Sequence, residues 1–139
     1  MNAIETAKAA VIAYNDKNWD QVKEIVVEKG VYDEKATGRR IEGVGKIVET
    51  WQGWARAIPD SKATFVGEYA SGDTVVLELV WKGVHTGPLQ MPSGTIPPTN
   101  KRIDVPACQV VKVQNGKVQS VSHYFDLVTL LSQIGAFKG

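Results

Sequence analysis

The chain has 139 residues, of which 43% are hydrophobic and 22% are charged, and its formal net charge is +1. These values are typical of one globular domain that is large enough to bury a core. The small net charge, with no basic or acidic block, argues against a protein that binds nucleic acids or membrane surfaces by electrostatic attraction.

The predicted location is the cytoplasm. Cys108 is the only cysteine, so an intrachain disulfide is impossible and a reducing compartment fits. Residues 1–20 include Glu5, Lys8 and Asp16 and lack the long apolar centre of a signal peptide. No apolar run approaches the ~20 residues that a transmembrane helix requires.

The first part of the chain has the apolar spacing of helices. Ile4, Ala7, Val11 and Tyr14 form one stripe that predicts a first helix, with Asn2 as its N-cap. The elements predicted after it are a second helix from Trp19 to a stop at Gly30, a short strand over 31–36, a turn-rich link over 37–43, and a third helix over 43–59 that Pro59 ends.

After Pro59 the apolar period falls to two, as in β-strands. The predicted elements are a hairpin of 62–70 with 73–87, a proline-rich loop over 88–100, a second hairpin of 101–113 with 117–126 around Asn115-Gly116, and a closing helix that stops at Gly135. Segregated helices and strands predict an α+β fold. We expect a curved antiparallel sheet wrapped on N-terminal helices as a half-open cone, with a ligand pocket between the two layers.

Several strings resemble one known family. They are "AIPD" (57–60), "SGDTVVLELVWKGVHTGPL" (71–89), "IPPTNKRIDV" (96–105) and "NGKVQSVSHYFDLVTLLSQIG" (115–135). Together they resemble the SnoaL-like polyketide cyclases, within the superfamily that shares the nuclear-transport-factor-two (cystatin-like α+β) fold. The resemblance covers nearly the whole chain, although Asn100 stands where the family pattern has a glycine.

The resemblance implies a cofactor-free intramolecular aldol condensation on a hydrophobic carbonyl compound such as a polyketide. It also implies that the aspartate between the last strand and the last helix, Asp126, is the general acid/base. A carboxylate suffices for a carbon acid activated by two carbonyl groups, and burial would raise its pKa. The sequence alone leaves a second interpretation open, because aspartate before a helix is a favoured N-cap and a capping carboxylate has a lowered pKa.

Strand alternation predicts which side chains accompany Asp126. Tyr124 shares its face and would orient a substrate oxygen, and the register counted from the Asn115-Gly116 turn adds Gln109 to the same pocket. By this count His123 points to the opposite, convex face, where we expect a second subunit to pack and form a homodimer.

His85 is the predicted catalytic partner of Asp126, since it ends a strand whose face also carries Trp81, and a partly exposed histidine at the strand end is the alternative interpretation. The other substrate-binding candidates are aromatic residues that could floor a pocket for flat ligands, with plain core packing as the alternative for each: Trp51, Trp54, Trp81 and Tyr14, and more weakly Tyr32. Two histidines without clustered carboxylates predict no metal site.

The leading functional hypothesis is therefore a cyclase-like enzyme with a hydrophobic small-molecule substrate. A ketosteroid-isomerase-like isomerase or a hydrolase could use the same pocket, because one carboxylate could serve all three reactions. The alternative of a different class is a non-catalytic module that binds a small ligand or dimerises. A pocket whose acid is only a helix cap would favour that alternative.

Overall fold

A computed structural model describes residues 1–137. It contains four helices, α1 (Ala3–Asn15), α2 (Trp19–Ile25), α3 (Val44–Ala57) and α4 (Leu127–Gln133). Its strands are β1 (Val26–Glu34), β2 (Arg39–Glu42), β3 (Lys62–Ser71), β4 (Thr74–Val84), β5 (Leu89–Met91), β6 (Gly94–Ile96), β7 (Arg102–Gln114) and β8 (Lys117–Phe125).

The helix boundaries follow local signals in the sequence. Asn2 caps α1, and its side chain and that of Glu5 exchange hydrogen bonds with each other's backbone N–H groups in a capping box. Helix α3 starts after Gly43, whose φ of 96° lies in the left-handed region that favours glycine. The helix ends two residues before Pro59, whose ring would clash with a continuing helix.

Six strands form one curved sheet in the order β2-β1-β8-β7-β4-β3. The α+β class is confirmed, with the helices packed against the inner face of a sheet that does not close into a barrel. The sheet is mixed and not wholly antiparallel as predicted, because β1 pairs with β8 in the parallel direction.

Three predicted segments differ in detail. Helix α2 ends at Ile25, and Gly30 lies inside β1, where the pairing with β8 is irregular and an added Cβ would come 2.7 Å from Val26 Cγ1. The link over 37–43 contains β2, and the loop over 88–100 contains the two-stranded ribbon of β5 and β6. Each miss is a short or irregular strand, which gives too few alternating residues to be recognised.

The main core fills the space between the helices and the inner face of the sheet. Its buried members include Ala7, Ala10 and Val11 of α1 and Leu77 and Leu79 of β4. A second cluster gathers around α4, where Leu130 and Ile134 pack with residues of β7. Among the described residues, no helix has the length and hydropathy needed to cross a membrane.

Candidate functional site

A cavity of about 80 Å³ lies between the helices and the inner face of the sheet. This is several times the roughly 15 Å³ that one buried water needs. Aromatic and aliphatic side chains dominate its wall, which is formed by Ala10, Val11, Tyr14, Tyr32, Trp51, Trp54, Ile58, Ser61, Trp81, Ile103, Val105, Gln109, His123, Phe125 and Leu130.

A bulge in β8 decides which side chains of that strand face this cavity. Val113 pairs with Val118 as the turn predicts, but Lys112 pairs with Ser120, so Gln119 is an extra residue on β8. From that point the register is shifted by one, and Gln109 lies opposite His123. A one-residue shift moves every following side chain to the other face of the sheet.

The predicted orientation of β8 is therefore wrong. His123 lines the cavity and is only 6% exposed. Tyr124 points away from the cavity and is 48% exposed on the outer face. The bulge near the start of the strand is the physical reason, because the alternation was counted from the turn without it.

The imidazole of His123 is held from both sides. Trp81 Nε1–H donates to His123 Nε2 at 3.2 Å, and the Tyr32 hydroxyl lies 2.8 Å from His123 Nδ1. An indole nitrogen is only a donor, so Nε2 must be the unprotonated nitrogen and Nδ1 carries the hydrogen. His123 then donates to the Tyr32 oxygen, and the Tyr32 hydroxyl donates in turn to Glu34 Oε2 at 2.9 Å.

Glu34 closes this chain as a fully buried carboxylate. It accepts hydrogen bonds from Arg39 Nε at 2.9 Å and Nη2 at 2.8 Å, from Trp54 Nε1 at 2.9 Å, and from the Thr37 hydroxyl. Burial raises its pKa, but the bonds from Thr37, Arg39 and Trp54 outweigh burial and the pKa is lowered overall. Glu34 is therefore an anion beneath the cavity wall.

Burial lowers the pKa of His123 to about 4, and the negative charge of Glu34 opposes that shift. The histidine is thus neutral at physiological pH. One line of polar groups runs through an otherwise apolar wall. It consists of the His123 Nε2 lone pair, the His123 Nδ1–H, the Tyr32 hydroxyl and the Glu34 carboxylate. Such a line can accept a proton at Nε2 and share the resulting positive charge with an anion.

A second polar pair lies elsewhere in the wall. The Tyr14 hydroxyl and Ser61 Oγ are 2.6 Å apart, and both residues are buried. Burial raises the pKa of Tyr14 to about 12, so its phenol remains protonated. Lys17 lies outside the pair, with its Nζ 4.2 Å from the centre of the Tyr14 ring and bonded to the Ser61 carbonyl.

The predicted substrate-binding residues apart from Tyr124 all line the cavity, namely Gln109, Trp51, Trp54, Trp81 and Tyr14. Three of the aromatic rings meet edge to face, with the centre of the Tyr14 ring 5.3 Å from that of Trp81 and 6.4 Å from that of Trp51. No side-chain hydrogen bond of Gln109 occurs within residues 1–137, so its amide is free for a ligand. Their role in binding stays a prediction.

The two predicted catalytic residues lie outside the cavity wall. Asp126 is exposed and caps α4, accepting from Thr129 N–H at 2.9 Å and from the Thr129 hydroxyl at 2.6 Å. These bonds lower its pKa, as expected for a cap and not for a buried acid. The predicted position of Asp126 in the pocket is therefore wrong.

His85 is not brought next to Asp126 either. It is fully buried where the chain leaves β4, and its Nδ1 bonds the Thr99 hydroxyl at 2.9 Å. Its Nε2 has no partner within residues 1–137. Burial lowers the pKa of His85, so it is a neutral histidine that ties β4 to the segment before β7.

Three residues of the site were not among the sequence candidates for chemistry: His123, Glu34 and Ser61. His123 had a signal, because it alternates with Val121 and Phe125 in an apolar row that would suit the inner face. Glu34 and Ser61 had none, since Glu34 stands among charged residues in a short predicted strand and a serine after Pro59-Asp60 is typical of a solvated turn. Within the described residues, no three His, Cys, Asp or Glu side chains are grouped as metal ligands would be.

The fold and the cavity define a cone-shaped α+β protein with an aromatic cavity between its helices and its sheet. The chain belongs to the SnoaL-like polyketide cyclase family, whose model matches residues 4–134. None of the curated protein sequences matches this chain.

Solved structures agree with this assignment at the level of the fold. A protein from Jannaschia sp. CCS1 assigned as a SnoaL-like polyketide cyclase superposes with a TM-score of 0.85 and 18% identity, over 98% of this chain and 93% of its own. IdmH of Streptomyces antibioticus, assigned as a polyketide cyclase, gives 0.82 and 20%, over 97% and 99%. A protein of ketosteroid-isomerase-like fold from Catenulispora acidiphila, solved with trimethylamine, gives 0.79 and 22%, over 94% and 92%.

Proposed function

We propose that the protein catalyses proton transfer and intramolecular aldol cyclisation of a hydrophobic carbonyl compound, with His123 as the acid/base residue. The observation that carries this proposal is the buried line from Trp81 through His123 and Tyr32 to Glu34, which opens on an aromatic cavity. Membership of the SnoaL-like family supports a cyclase-like role.

In the first step His123 Nε2 takes a proton from a carbon that lies between two carbonyl groups. The Trp81 N–H, at 3.2 Å from Nε2, turns from the histidine to the oxygen on which the enolate charge develops. The free amide of Gln109, directly across from His123 in the sheet, supplies another donor to that oxygen. Donors in an apolar site stabilise such a charge far more than they do in water.

The imidazolium that forms is stabilised by the rest of the line. Its Nδ1–H donates to Tyr32, and the Tyr32 hydroxyl donates to the ionised Glu34. A base whose pKa is about 4 is strong enough for this chemistry. A carboxylate base with a pKa of about 4.6 removes protons next to a carbonyl in ketosteroid isomerase.

In the second step the enolate carbon attacks a second carbonyl carbon of the same molecule. A carbon–carbon bond forms, the carbonyl π pair moves to oxygen as an alkoxide, and the alkoxide is protonated. His123 gives up the proton that it gained, so the reaction neither loses atoms nor changes the oxidation level. No cofactor is needed for this balance.

The test compares two variants on an aryl triketide, with ring-closed product measured by chromatography. His123→Asn keeps a donor toward Tyr32 but removes the base at Nε2, and we expect at least a roughly 100-fold loss of product formation. Asp126→Asn keeps a helix-capping oxygen and should leave the rate unchanged. Circular dichroism checks that both variants fold.

The reverse result would contradict the proposal. Loss of product in Asp126→Asn with normal turnover in His123→Asn would assign the chemistry to the aspartate that the family resemblance implies. An isomerised or hydrolysed product would keep His123 as the base and change the reaction.

A non-catalytic ligand-binding module is the second candidate. The observation in its favour is that no free carboxylate lines the cavity among the described residues. The oxygens of Glu34 already accept hydrogen bonds from Tyr32, Arg39 and Trp54, and Asp126 lies outside the cavity. Binding of the triketide without any product, in wild type and in both variants, would support this candidate and contradict the enzyme.

A further inference from the structure

The Tyr14–Ser61 pair carries a hydrogen-bond donor without an acceptor. The two hydroxyls have two hydrogens, and their mutual bond at 2.6 Å uses one of them. Neither oxygen has another side-chain or backbone partner within residues 1–137. Since Tyr14 and Ser61 are 6% and 5% exposed, the remaining hydrogen is left to the cavity that both residues line.

The aromatic ring of Trp81 lies between the Tyr14–Ser61 pair and His123. The Trp81 ring lies 5.3 Å from the Tyr14 ring and 5.9 Å from the imidazole of His123, measured between ring centres. Along the other wall, Trp51 lies between Tyr14 and Tyr32 in the same way. The cavity therefore carries two polar groups in its wall, the Tyr14–Ser61 pair and His123, with aromatic rings between them.

We propose that the Tyr14–Ser61 pair is a second oxygen-binding point, which makes the protein selective for hydrophobic compounds that carry carbonyl oxygens at both ends. This inference rests on the proposed function in one respect, namely that one oxygen of the ligand lies at the His123 and Gln109 end. The other oxygen accepts the spare hydrogen of the hydroxyl pair.

The pair suits the second carbonyl of an aldol cyclisation. Its hydrogen bond polarises that carbonyl and strengthens as the oxygen becomes an alkoxide. Tyr14 stays a neutral donor throughout, because burial raises its pKa to about 12. Water carries the proton that completes the product from His123 to the alkoxide.

The test uses probes that cannot cyclise, so it does not depend on turnover. The diketones para-diacetylbenzene and a diacetylnaphthalene are each compared with the matched compound in which one acetyl group is an ethyl group. Ligand-observed NMR titrations measure the dissociation constants in wild type and in Tyr14→Phe/Ser61→Ala. Removing both hydroxyls together leaves no unpaired polar group, so the variant should fold.

In wild type we expect at least one diketone to bind about fivefold to tenfold more tightly than its ethyl analogue, the value of one net hydrogen bond. In the double variant the ratio should fall to about one. Equal binding within both pairs in wild type, no binding of any probe, or a preference kept by the double variant would each overturn the proposal.

A measurement on the wild type serves if the double variant does not fold, because each single variant keeps one hydroxyl whose hydrogen is free. In protein labelled with ¹³C-tyrosine, a diketone must shift the ring signals of Tyr14 more than its ethyl analogue does, and equal shifts for every pair of probes would overturn the inference. Failure of the proposed function is a separate result, because it would appear as absent product in the His123 experiment while the probe ratios stay as expected.

Discussion

His123 is a buried residue whose charged form the fold disfavours. Its pKa is about 4 in the folded chain against 6.5 in water, because burial outweighs the charge of Glu34. Between these values the unfolded chain binds a proton that the folded chain does not. The free energy of unfolding therefore rises with pH across this window. The contribution of His123 is fully present above about pH 6.5 and is lost as the pH falls toward about 4.

We expect urea unfolding of the wild type to show about 2 kcal/mol less stability at about pH 5 than at about pH 7. His85 adds to the same trend, since its pKa is also lowered. The difference in unfolding free energy between the two pH values should be smaller in His123→Asn than in wild type, whatever the stability of the variant at neutral pH. An equal difference in wild type and variant would show that His123 titrates normally.

At the scale of elements, Asp126 is the residue that begins α4. The helix has seven residues, and both oxygens of Asp126 are bonded to Thr129. Asp126→Ala removes both bonds and should lower the urea midpoint without changing the slope, whereas Asp126→Asn keeps a capping oxygen and should lower it less. Identical midpoints for wild type and Asp126→Ala would mean that the cap contributes nothing.

The sequence predicted the long elements because their periods are strong. The stripe of α1, the break at Pro59 and the Asn115-Gly116 turn each carry a local physical signal. The face of β8 could not be predicted in the same way. The extra residue Gln119 has no signature of its own, and the pairing of β8 with β7 and β1 fixes its place.

The same limit explains the site. Trp51, Trp54 and Trp81 were recognisable as pocket residues from their type and their stripes. The line from His123 to Glu34 joins β8 to β1. These two strands pair in the parallel direction, which no local sequence pattern predicts. Asp126 was misplaced because the strand face was inverted, although the N-cap alternative had been visible in the spacing.

At the scale of the molecule, the inner face of the sheet is used by the core and the cavity, and the outer face carries exposed aromatic side chains. Tyr69 and Tyr124 are 58% and 48% exposed, and Tyr124 lies over the outer face beside Cys108 and Glu78. The homodimer predicted through this face stays a prediction, which a sedimentation mass of two chains would support.

The central claim is that His123 is a neutral base in the cavity, joined through Tyr32 to Glu34. An NMR titration of protein labelled with ¹⁵N-histidine tests it most directly, since the chain has only two histidines. We predict that one imidazole is an Nδ1–H tautomer with a pKa near 4, that Glu34→Gln lowers this value further, and that a diketone perturbs its Nε2 but not the signals of His85. A His123 pKa near 6.5 that is unchanged in Glu34→Gln would contradict the account. A ligand response confined to the signals of His85 would contradict it as well.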